Sequence, residues 1–377
     1  MTRIAVTEQA IVWEAEPTDP AGHGCEPRVA RLASGSIVLS HRVGTTREGG
    51  DGRPRLTRTD DDGATWHDLG CPFDEALPSG WDLRGCALAE IADGALVAVV
   101  VALDKTADAP PYNPATEGLV TVRNLVARSD DGGTTWSEPW ELAGGRHVQL
   151  ASQGLLALPD GGLLCTFETF KTYDDPGTWH YTGGLLRSDD GGRTWGPPVI
   201  SAASDPDGDP HDTMWWDPRI ARLASGELVQ CYYAFRHATR TEGPVHIAWS
   251  RDDGSTWSAP TSTGLPGQAT YPLPLPDGRL AVFGQRRGET QAMVAAVSDD
   301  AGRTFERGSE TVVYTHAAVS APGADGSLSA FDYLMSMDRF TFGHPCGVVT
   351  GPNEALVFWY AGDATRTTIR SARLRVD

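Results

Sequence analysis

Basic residues are scarce in this chain, and no segment of it suits membrane targeting or anchoring. The 377 residues contain 31 Lys and Arg against 50 Asp and Glu, a net charge of −19. Such a surface repels phosphate backbones, which argues against nucleic acid as a partner. The mean hydropathy of −0.30 indicates no membrane span, and the first 25 residues lack the apolar centre and cleavage site of a signal peptide. The sequence therefore predicts a cytoplasmic protein with no membrane partner.

Cysteine pairs and metal-binding spacings are also missing. No CxxC motif or other paired spacing joins the six cysteines, and four of them lie in or beside apolar runs, which predicts free buried thiols. The acidic stretch from Asp205 to Asp212 alternates oxygen ligands as calcium loops do, but it lacks the distal glutamate, so a solvated turn is expected. We therefore expect neither a metal ion nor another cofactor.

Long helical periods are absent as well, and paired apolar runs take their place. Each pair flanks a short polar turn, most often Asp-Gly or Ser-Gly, and such pairs are typical of β-hairpins. Six pairs follow one another along the chain, beginning at Arg28, Cys86, Gly154, Arg219, Tyr271 and Cys346.

An eight-residue turn with the pattern S/T-x-D-x-G-x-T-W/F recurs between these hairpins. Its hydroxyl residue and aspartate can accept bonds from backbone N–H groups, its glycine adopts a backbone angle that other residues resist, and its aromatic ring packs between strands. The turn therefore has a structural role and requires no ligand. Its five copies span residues 59–66, 129–136, 188–195, 250–257 and 298–305.

The repeats predict an all-β fold: a six-bladed β-propeller of four-stranded antiparallel blades, formed as a single domain by residues 1–377. Only one strand follows the last hairpin, so we expect residues 4–15 to supply the fourth strand and close the ring. The hairpin turns and the Asp-containing turns then share one end of each blade. Substrate is expected at the opposite end, called the mouth below, where the innermost strands begin and the strand 2–3 loops lie.

Three carboxylate–arginine pairs mark the beginnings of innermost strands at the mouth. Glu26, Asp82 and Asp217 each stand two residues before an arginine, and residues two apart in a strand share a face. Arginines converging on the axis would bind a carboxylate, because guanidinium groups hold carboxylates in planar, bidentate contacts. The alternative is that each pair is an internal salt bridge. The arginines of the three pairs are Arg28, Arg84 and Arg219.

Further basic and aromatic residues gather at the same level and favour an anionic sugar as ligand. A tryptophan beside a polar cleft can stack on a sugar ring; alternatively, it packs between blades. These residues are Arg42, Arg236 and Arg286 at the ends of second strands, His344 and Tyr271 at the beginnings of first strands, and Trp216 beside Asp217.

The Asp-containing turns on a six-bladed propeller resemble the sialidase (neuraminidase) superfamily, from about Arg28 to Val376. In that family three arginines hold the substrate carboxylate, an aspartate on a first-blade loop is the acid/base, and a tyrosine activated by a glutamate is the nucleophile. The resemblance implies Arg28 as the first of these arginines and Asp51, in the first strand 2–3 loop, as the acid/base. The activating carboxylate would then be Asp82, Glu26 or Asp217.

Two motifs of the family differ in this chain. The first-blade motif Y/F-R-I-P is replaced by Glu26-Pro27-Arg28-Val29. The last first strand, where the tyrosine is expected, has Gly343-His344-Pro345-Cys346. Tyr271, one blade earlier, is the substitute candidate.

A sialidase-like glycoside hydrolase acting on a sialic or uronic acid-type sugar is the leading hypothesis. Asp51 and a second carboxylate would flank the glycosidic bond, and an inverting mechanism needs no tyrosine. A polysaccharide lyase on uronates would instead place a base beside an arginine, and a non-catalytic glycan-binding propeller is the third hypothesis. Carbohydrate is the expected partner in each case. The second carboxylate would come from Asp217, Asp82 or Glu26, and the lyase base from His344, His41 or Tyr271.

Overall fold

The structure, a computed structural model, describes residues 4–107, 109–142, 154–177, 182–203, 213–236, 241–286, 291–306, 308–317 and 340–377. These ranges form strands, turns and loops and contain no helix, which confirms the all-β prediction for them. Accordingly, no helix of a length and hydropathy fit to cross a membrane occurs in the same ranges.

The described ranges contain strands of two to ten residues, which we number in chain order. They are β1 (Ile4–Trp13), β2 (His23–Arg31), β3 (Ile37–Gly44), β4 (Arg53–Thr59), β5 (His67–Gly70), β6 (Trp81–Glu90), β7 (Leu96–Asp104), β8 (Val122–Ser129), β9 (Trp140–Glu141), β10 (Leu155–Ala157), β11 (Leu163–Glu168), β12 (Thr182–Ser188), β13 (Val199–Ala203), β14 (Thr213–Arg222), β15 (Leu228–Arg236), β16 (Thr241–Glu242), β17 (His246–Ser250), β18 (Thr261–Ser262), β19 (Gln268–Pro274), β20 (Leu280–Arg286), β21 (Ala292–Ser298), β22 (Thr311–Thr315), β23 (Phe342–Gly351), β24 (Glu354–Gly362) and β25 (Thr367–Val376).

The strands pair in six antiparallel sets of four, which we call sheets 1 to 6. Sheet 1 is β2–β5, sheet 2 is β6–β9, sheet 3 is β10–β13, sheet 4 is β14, β15, β17 and β18, sheet 5 is β19–β22, and sheet 6 is β23–β25 with β1. The short strand β16 adds to β15 in sheet 4. All six predicted hairpins are present, as the first two strands of each sheet.

The N-terminal strand completes the last sheet. β1 pairs antiparallel with β25, from Ile4 opposite Val376 to Trp13 opposite Ile369, as predicted for the missing fourth strand. A single parallel bridge between His23 and Thr367 then joins sheet 6 to sheet 1. These two sheets therefore form one eight-stranded sheet of mixed direction.

Apolar side chains fill the spaces between neighbouring sheets. Val38 and Leu56 of sheet 1 pack with Leu96 and Leu125 of sheet 2, and each is at most 4% exposed. Burying a side chain of this size stabilises a fold by about 1.5–3 kcal/mol. The first strands touch one another in turn: β2 and β6, β6 and β10, β10 and β14, β14 and β19, β19 and β23, and β23 and β2. Residues where the first strands begin are therefore brought into one region.

The cysteines contribute to these interfaces as reduced side chains. All six are free, as predicted, and Cys71 is half-buried whereas the others are buried. Burial raises the pKa of all six thiols, for example that of Cys25 to about 11, so these thiols stay protonated and inert. The six are Cys25, Cys71, Cys86, Cys165, Cys231 and Cys346.

The Asp-containing turns are closed by their own side chains, as the third copy illustrates. Asp190 accepts bonds from the Ser188 hydroxyl at 2.8 Å, the Thr194 N–H at 2.8 Å and the Thr194 hydroxyl at 2.6 Å. The Gly192 N–H donates to the Ser188 oxygen at 2.8 Å, and the Trp195 indole donates to the Gly192 carbonyl at 3.0 Å. The side chains of Ser188, Asp190, Thr194 and Trp195 are thus all bonded within the turn, which supports the structural interpretation.

Replacing Asp190 by alanine is expected to lower the free energy of unfolding by about 1–3 kcal/mol, because the turn loses the hydrogen bonds that its carboxylate accepts. The hydroxyl and N–H of Thr194 lower the pKa of Asp190 from 3.8 to about 2. Its stabilising effect is therefore complete above about pH 4 and is lost as the pH falls toward 2. Urea unfolding of wild type and variant across this range measures both effects.

The matched control is Asp189→Ala, because that neighbouring carboxylate binds Arg187 at 2.8 Å and not the turn. Loss of this exposed pair is expected to change stability by less than about 1 kcal/mol. Equal stability of Asp190→Ala and wild type at neutral pH would contradict the structural role of the turn.

Candidate functional site

Bulges interrupt the first strands where they begin at the mouth. Two residues of β2 lie between the paired positions Cys25 and Arg28, and the same break occurs in β14, β19 and β23. The first bulge residue has a left-handed backbone, which costs a non-glycine residue about 1–3 kcal/mol. Bulges re-aim side chains, and strain of this kind is common at functional sites. These residues are Glu26 (φ 54°), Asp217 (φ 52°), Ala269 (φ 44°) and His344 (φ 52°).

The bulge of β6 alters the relation between the three predicted carboxylate–arginine pairs. It lies between Leu83 and Cys86, so Arg84 occupies its first position, whereas Asp82 pairs regularly with Leu103. Asp82 is therefore not the structural counterpart of Glu26 and Asp217. All three carboxylates stand two residues before an arginine in the sequence, but the position of the bulge separates Asp82 from Glu26 and Asp217.

Arg84 is the centre of an ionic group between sheets 1 and 2, which we call the Arg84 cluster (Glu26, Arg42, Arg47, Glu48, Asp82, Arg84 and Lys105). Its Nη2 donates to Glu26 Oε1 at 2.6 Å and to Glu48 Oε1 at 2.9 Å, and its Nη1 donates to Glu48 Oε2 at 2.6 Å. Both terminal nitrogens are thus bonded to carboxylates of sheet 1. Arg84 therefore forms salt bridges between sheets, beyond the internal Asp-x-Arg pair that the sequence suggested.

Arg42 and Asp82 form a second ion pair of the cluster, and both side chains are 0% exposed. Arg42 Nε donates to Asp82 Oδ1 at 2.8 Å, and its terminal nitrogens donate to the carbonyls of Thr46 and Gly49 at 2.8 and 2.9 Å. Arg42, predicted to bind substrate, therefore lies beneath residues 45–52 and fixes that loop.

The titration of the cluster follows from burial and from its arginines. Burial alone would raise the pKa of Glu26, but the attraction of Arg84, Arg47 and Arg28 outweighs it and lowers the value to about 2. The pKa of Glu48 is lowered for the same reason, chiefly by Arg84 against burial. Burial prevails at Asp82 and raises its pKa despite Arg42. Glu26 and Glu48 are thus fixed anions that keep Arg84 in place.

A second group joins first strands of sheets 1, 4 and 6. Arg28 and Arg219 are 5% and 1% exposed. Arg219 Nη2 lies 3.5 Å from His344 Nδ1 and 3.9 Å from Asp217 Oδ1. Burial, and next the repulsion of Arg28, lower the pKa of Arg219 to about 10, with Asp217 opposing. The structure therefore brings together four predicted site residues: Arg28, Asp217, Arg219 and His344.

Side chains from sheets 3 and 5 hold two of the bulges. The Asp217 N–H donates to Glu168 Oε2 at 3.0 Å, and the His344 N–H donates to Gln285 Oε1 at 2.9 Å. Glu168 and Gln285 are 4% and 3% exposed. Nothing in the sequence marks Gln285, because its partner is a backbone N–H that only the bulge makes available.

The predicted tyrosine candidate is bound within the core. The Tyr271 hydroxyl donates to the Gly347 carbonyl at 3.0 Å, and burial raises the pKa of this phenol. A different tyrosine, Tyr112, which the sequence analysis did not select, is buried beside Phe170. Burial and next Glu168 raise the pKa of Tyr112, whereas Arg84 acts in the opposite direction. Its only signal in the sequence is a long loop between β7 and β8.

Two other predicted residues have structural contacts. Trp216 is 5% exposed and stacks on Phe235, with ring centroids 5.7 Å apart, so it packs among apolar residues as the alternative interpretation proposed. Asp51 is exposed, and its Oδ2 accepts the Thr45 N–H at 2.9 Å, which closes residues 45–51 into a loop.

The remaining predicted residues lie at strand ends or outside the described ranges. Arg236 is exposed at the end of β15, and Arg286 is half-buried at the end of β20. The stretch from Asp205 to Asp212, for which a solvated turn was predicted, lies outside the described residues. Among the described residues no group of three or more His, Cys, Asp or Glu side chains could hold a metal ion.

Comparison with known proteins assigns the chain to a family. Residues 82–313, more than half of its length, match the family model described as BNR repeat-like domain. The chain therefore belongs to this family of BNR-repeat proteins in the sialidase superfamily.

Individual relatives share only low sequence identity with this chain. A sialidase of Micromonospora viridifaciens is 26% identical over 208 residues, which are 48% of this chain and 30% of that sialidase, so the match spans under a third of the relative. A protein of unknown function from Dyadobacter fermentans has a TM-score of 0.75 at 18% identity, with 99% of both chains covered. The α-L-arabinanase of Penicillium chrysogenum, complexed with arabinobiose, has a TM-score of 0.62 at 16% identity over 97% of this chain and 98% of its own. These structural likenesses establish a shared fold.

Replacing Gly52 by alanine is expected to lower the free energy of unfolding by about 3–5 kcal/mol, the cost of breaking a buried ion pair. A Cβ atom at this position would overlap Asp82 Oδ1 and Arg42 Nε. Urea unfolding checks the effect. The control Gly22→Ala meets only ordinary contacts, the nearest at 3.5 Å from the Thr365 carbonyl. If both variants were equally stable, the Arg42–Asp82 pair would not hold the mouth together.

Proposed function

We propose that this chain is a sialidase-like glycoside hydrolase that binds an anionic sugar at the mouth through Arg28 and Arg219. The two guanidinium groups come from the first strands of sheets 1 and 4 and lie close enough for Arg28 to lower the pKa of Arg219. This pair of buried cations, with Arg219 Nη2 3.5 Å from His344 Nδ1 and 3.9 Å from Asp217 Oδ1, carries the proposal, because neighbouring guanidinium groups favour a carboxylate between them. Sialic and uronic acid-type sugars bear such a group.

Such a site requires the six sheets to surround an axis as a closed six-bladed propeller. The contacts between first strands support closure, since they run from β2 through β6, β10, β14, β19 and β23 and return to β2. The proximity of Arg219 to His344 also supports it, because sheets 4 and 6 are not consecutive in the chain. In this arrangement residues 1–377 form a single domain.

Asp217 and Asp51 are the carboxyl groups best suited to the reaction. The Asp217 side chain is 20% exposed and belongs to a strained bulge beside Arg219. Asp51 lies on an exposed loop of sheet 1. Glu26 is bound by Arg84, and Asp82 is fully buried beside Arg42. We therefore assign protonation of the leaving oxygen to Asp51 and activation of the attacking group to Asp217.

In this proposal Arg84 supports the site and does not bind the substrate carboxylate itself. Both terminal nitrogens of Arg84 already donate to Glu26 and Glu48, so a substrate carboxylate would have to compete with two buried anions. The clamp of three arginines expected from the sequence is reduced to Arg28 and Arg219. The Micromonospora relative is named a sialidase, which favours a sialoside as substrate. The Penicillium structure is instead that of an arabinanase complexed with arabinobiose.

A polysaccharide lyase is the second candidate, and one contact favours it. His344 Nδ1 lies 3.5 Å from Arg219 Nη2. A lyase needs a base to remove the proton beside a uronate carboxylate that a cation neutralises. His344 and Arg219 would take these two roles.

Replacing Asp217 by asparagine is expected to lower kcat for an acidic glycoside by about 10²–10⁴-fold, the usual effect of losing a general base. Replacing Arg219 by alanine should instead weaken substrate binding by tenfold or more, about the strength of one charge-assisted hydrogen bond. The assays are fluorogenic release from a sialoside and a glucuronide, and absorbance of unsaturated uronate from acidic oligosaccharides.

Arg187→Ala is the matched control, since Arg187 pairs with Asp160 and Asp189 beside an Asp-containing turn. This variant should leave both kcat and substrate binding unchanged. Unsaturated product identifies a lyase, and binding without turnover identifies a glycan-binding protein; either result contradicts hydrolysis. Unchanged binding in both Arg28→Ala and Arg219→Ala contradicts the proposed clamp.

A further inference from the structure

Lysine is rare in this chain, and one of its two lysines lies in the Arg84 cluster. The two are Lys105 and Lys171. Lys105 directly follows β7, and its N–H donates to the Gly80 carbonyl at 2.8 Å. Its Cβ packs so closely on Gly50 that a Cβ there would lie 2.9 Å away. The side chain is therefore held between the loops of sheets 1 and 2.

The Lys105 ammonium group has a carbonyl partner but no carboxylate partner among the described residues. Its Nζ donates to the Glu48 carbonyl at 3.3 Å. The nearby carboxylates are bound elsewhere: Glu26 and Glu48 accept from Arg84, and Asp82 accepts from Arg42. Lys105 is thus the cation of the cluster that lacks a salt bridge with these three anions.

The charges of the cluster do not balance. Four cations, Arg42, Arg47, Arg84 and Lys105, accompany three carboxylates, Glu26, Glu48 and Asp82. Lys105 is half-buried, and burial lowers its pKa, with Glu48 opposing and Arg84 assisting. An anion beside Nζ would compensate the excess charge and the lost hydration.

We propose that Lys105 is a second anion subsite, which binds a carboxylate on a neighbouring sugar of the substrate. The inference rests on the proposed function, with the first carboxylate bound by Arg28 and Arg219. Lys105 and Arg84 both donate to Glu48, Arg84 also donates to Glu26, and Glu26 stands two residues before Arg28 of that pair. The substrate class is therefore an acidic oligosaccharide with carboxylates on successive sugars, and a sugar with a single carboxylate leaves the subsite empty.

The scarcity of lysine allows a direct test by amine labelling. Lys105, Lys171 and the N-terminus are the amines of the chain. Lys171 is the internal control, because it also lies on a strand 2–3 loop and its Nζ donates to a carbonyl, that of Gly177, at 2.7 Å. Acetylation with a limiting N-hydroxysuccinimide ester is followed by mass spectrometry, without ligand and with galacturonate, digalacturonate or trigalacturonate.

Digalacturonate and trigalacturonate are expected to slow acetylation of Lys105 about tenfold at a ligand concentration near ten times Kd, since only the free protein then reacts. Galacturonate should leave the rate unchanged, and no probe should protect Lys171.

In a parallel measurement, Lys105→Met should raise Kd for digalacturonate about tenfold, the effect of losing one partly buried ion contact. In Lys105→Met the Kd for galacturonate should stay as in wild type. In Lys171→Met the Kd values for galacturonate and digalacturonate should both stay as in wild type.

The outcomes separate this inference from the function on which it rests. Probes that bind in an Arg219-dependent manner without protecting Lys105 overturn the second subsite and leave the proposed function intact. Equal protection by galacturonate and digalacturonate overturns it as well, because one carboxylate would then suffice. If no probe binds and none is cleaved, both the inference and its uronic acid-type substrate class fail.

Discussion

Burial of charge is the constraint on which the mouth of this protein depends. Arg42 and Asp82 have no exposed side-chain surface, and Arg84 is bound by Glu26 and Glu48. A buried ion that loses its partner costs about 3–5 kcal/mol, so each member keeps its neighbours in position. Since Glu26 belongs to β2 and Arg84 to β6, these ion pairs join sheets 1 and 2 at the mouth. Apolar packing joins the same two sheets elsewhere.

Backbone hydrogen bonding adds a second constraint at the same level. A bulge leaves N–H groups without a strand partner, and buried N–H groups need an acceptor. Glu168 supplies one for Asp217, and Gln285 supplies one for His344. Each of these two strained residues beside Arg219 is thus held by a side chain of the preceding sheet. Side chains fixed in this way suit a preorganised polar site.

The sequence predicted the fold more fully than the site, because the signals of the fold are local. An Asp-containing turn forms its bonds within eight residues, as Asp190 does, and each hairpin turn lies between its own two strands. The partners at the mouth are distant in the chain: Arg84 and Glu26 are 58 residues apart. The spacing to an arginine alone grouped Asp82 with Glu26 and Asp217. In the structure the bulge of β6 is displaced, and Asp82 forms an ion pair with Arg42. The orientation of Tyr271 toward Gly347 likewise depends on a neighbouring sheet.

The overall charge and the proposed ligand have the same sign, which restricts how recognition can work. A net charge of −19 opposes long-range attraction of an acidic sugar. At physiological ionic strength, however, charges are screened beyond about 8 Å, whereas buried groups are screened much less. Arg28 and Arg219 are at most 5% exposed, so their field acts mainly within the mouth. Recognition by such a site would be short-ranged and selective for a ligand small enough to enter, which is consistent with the proposed sugar.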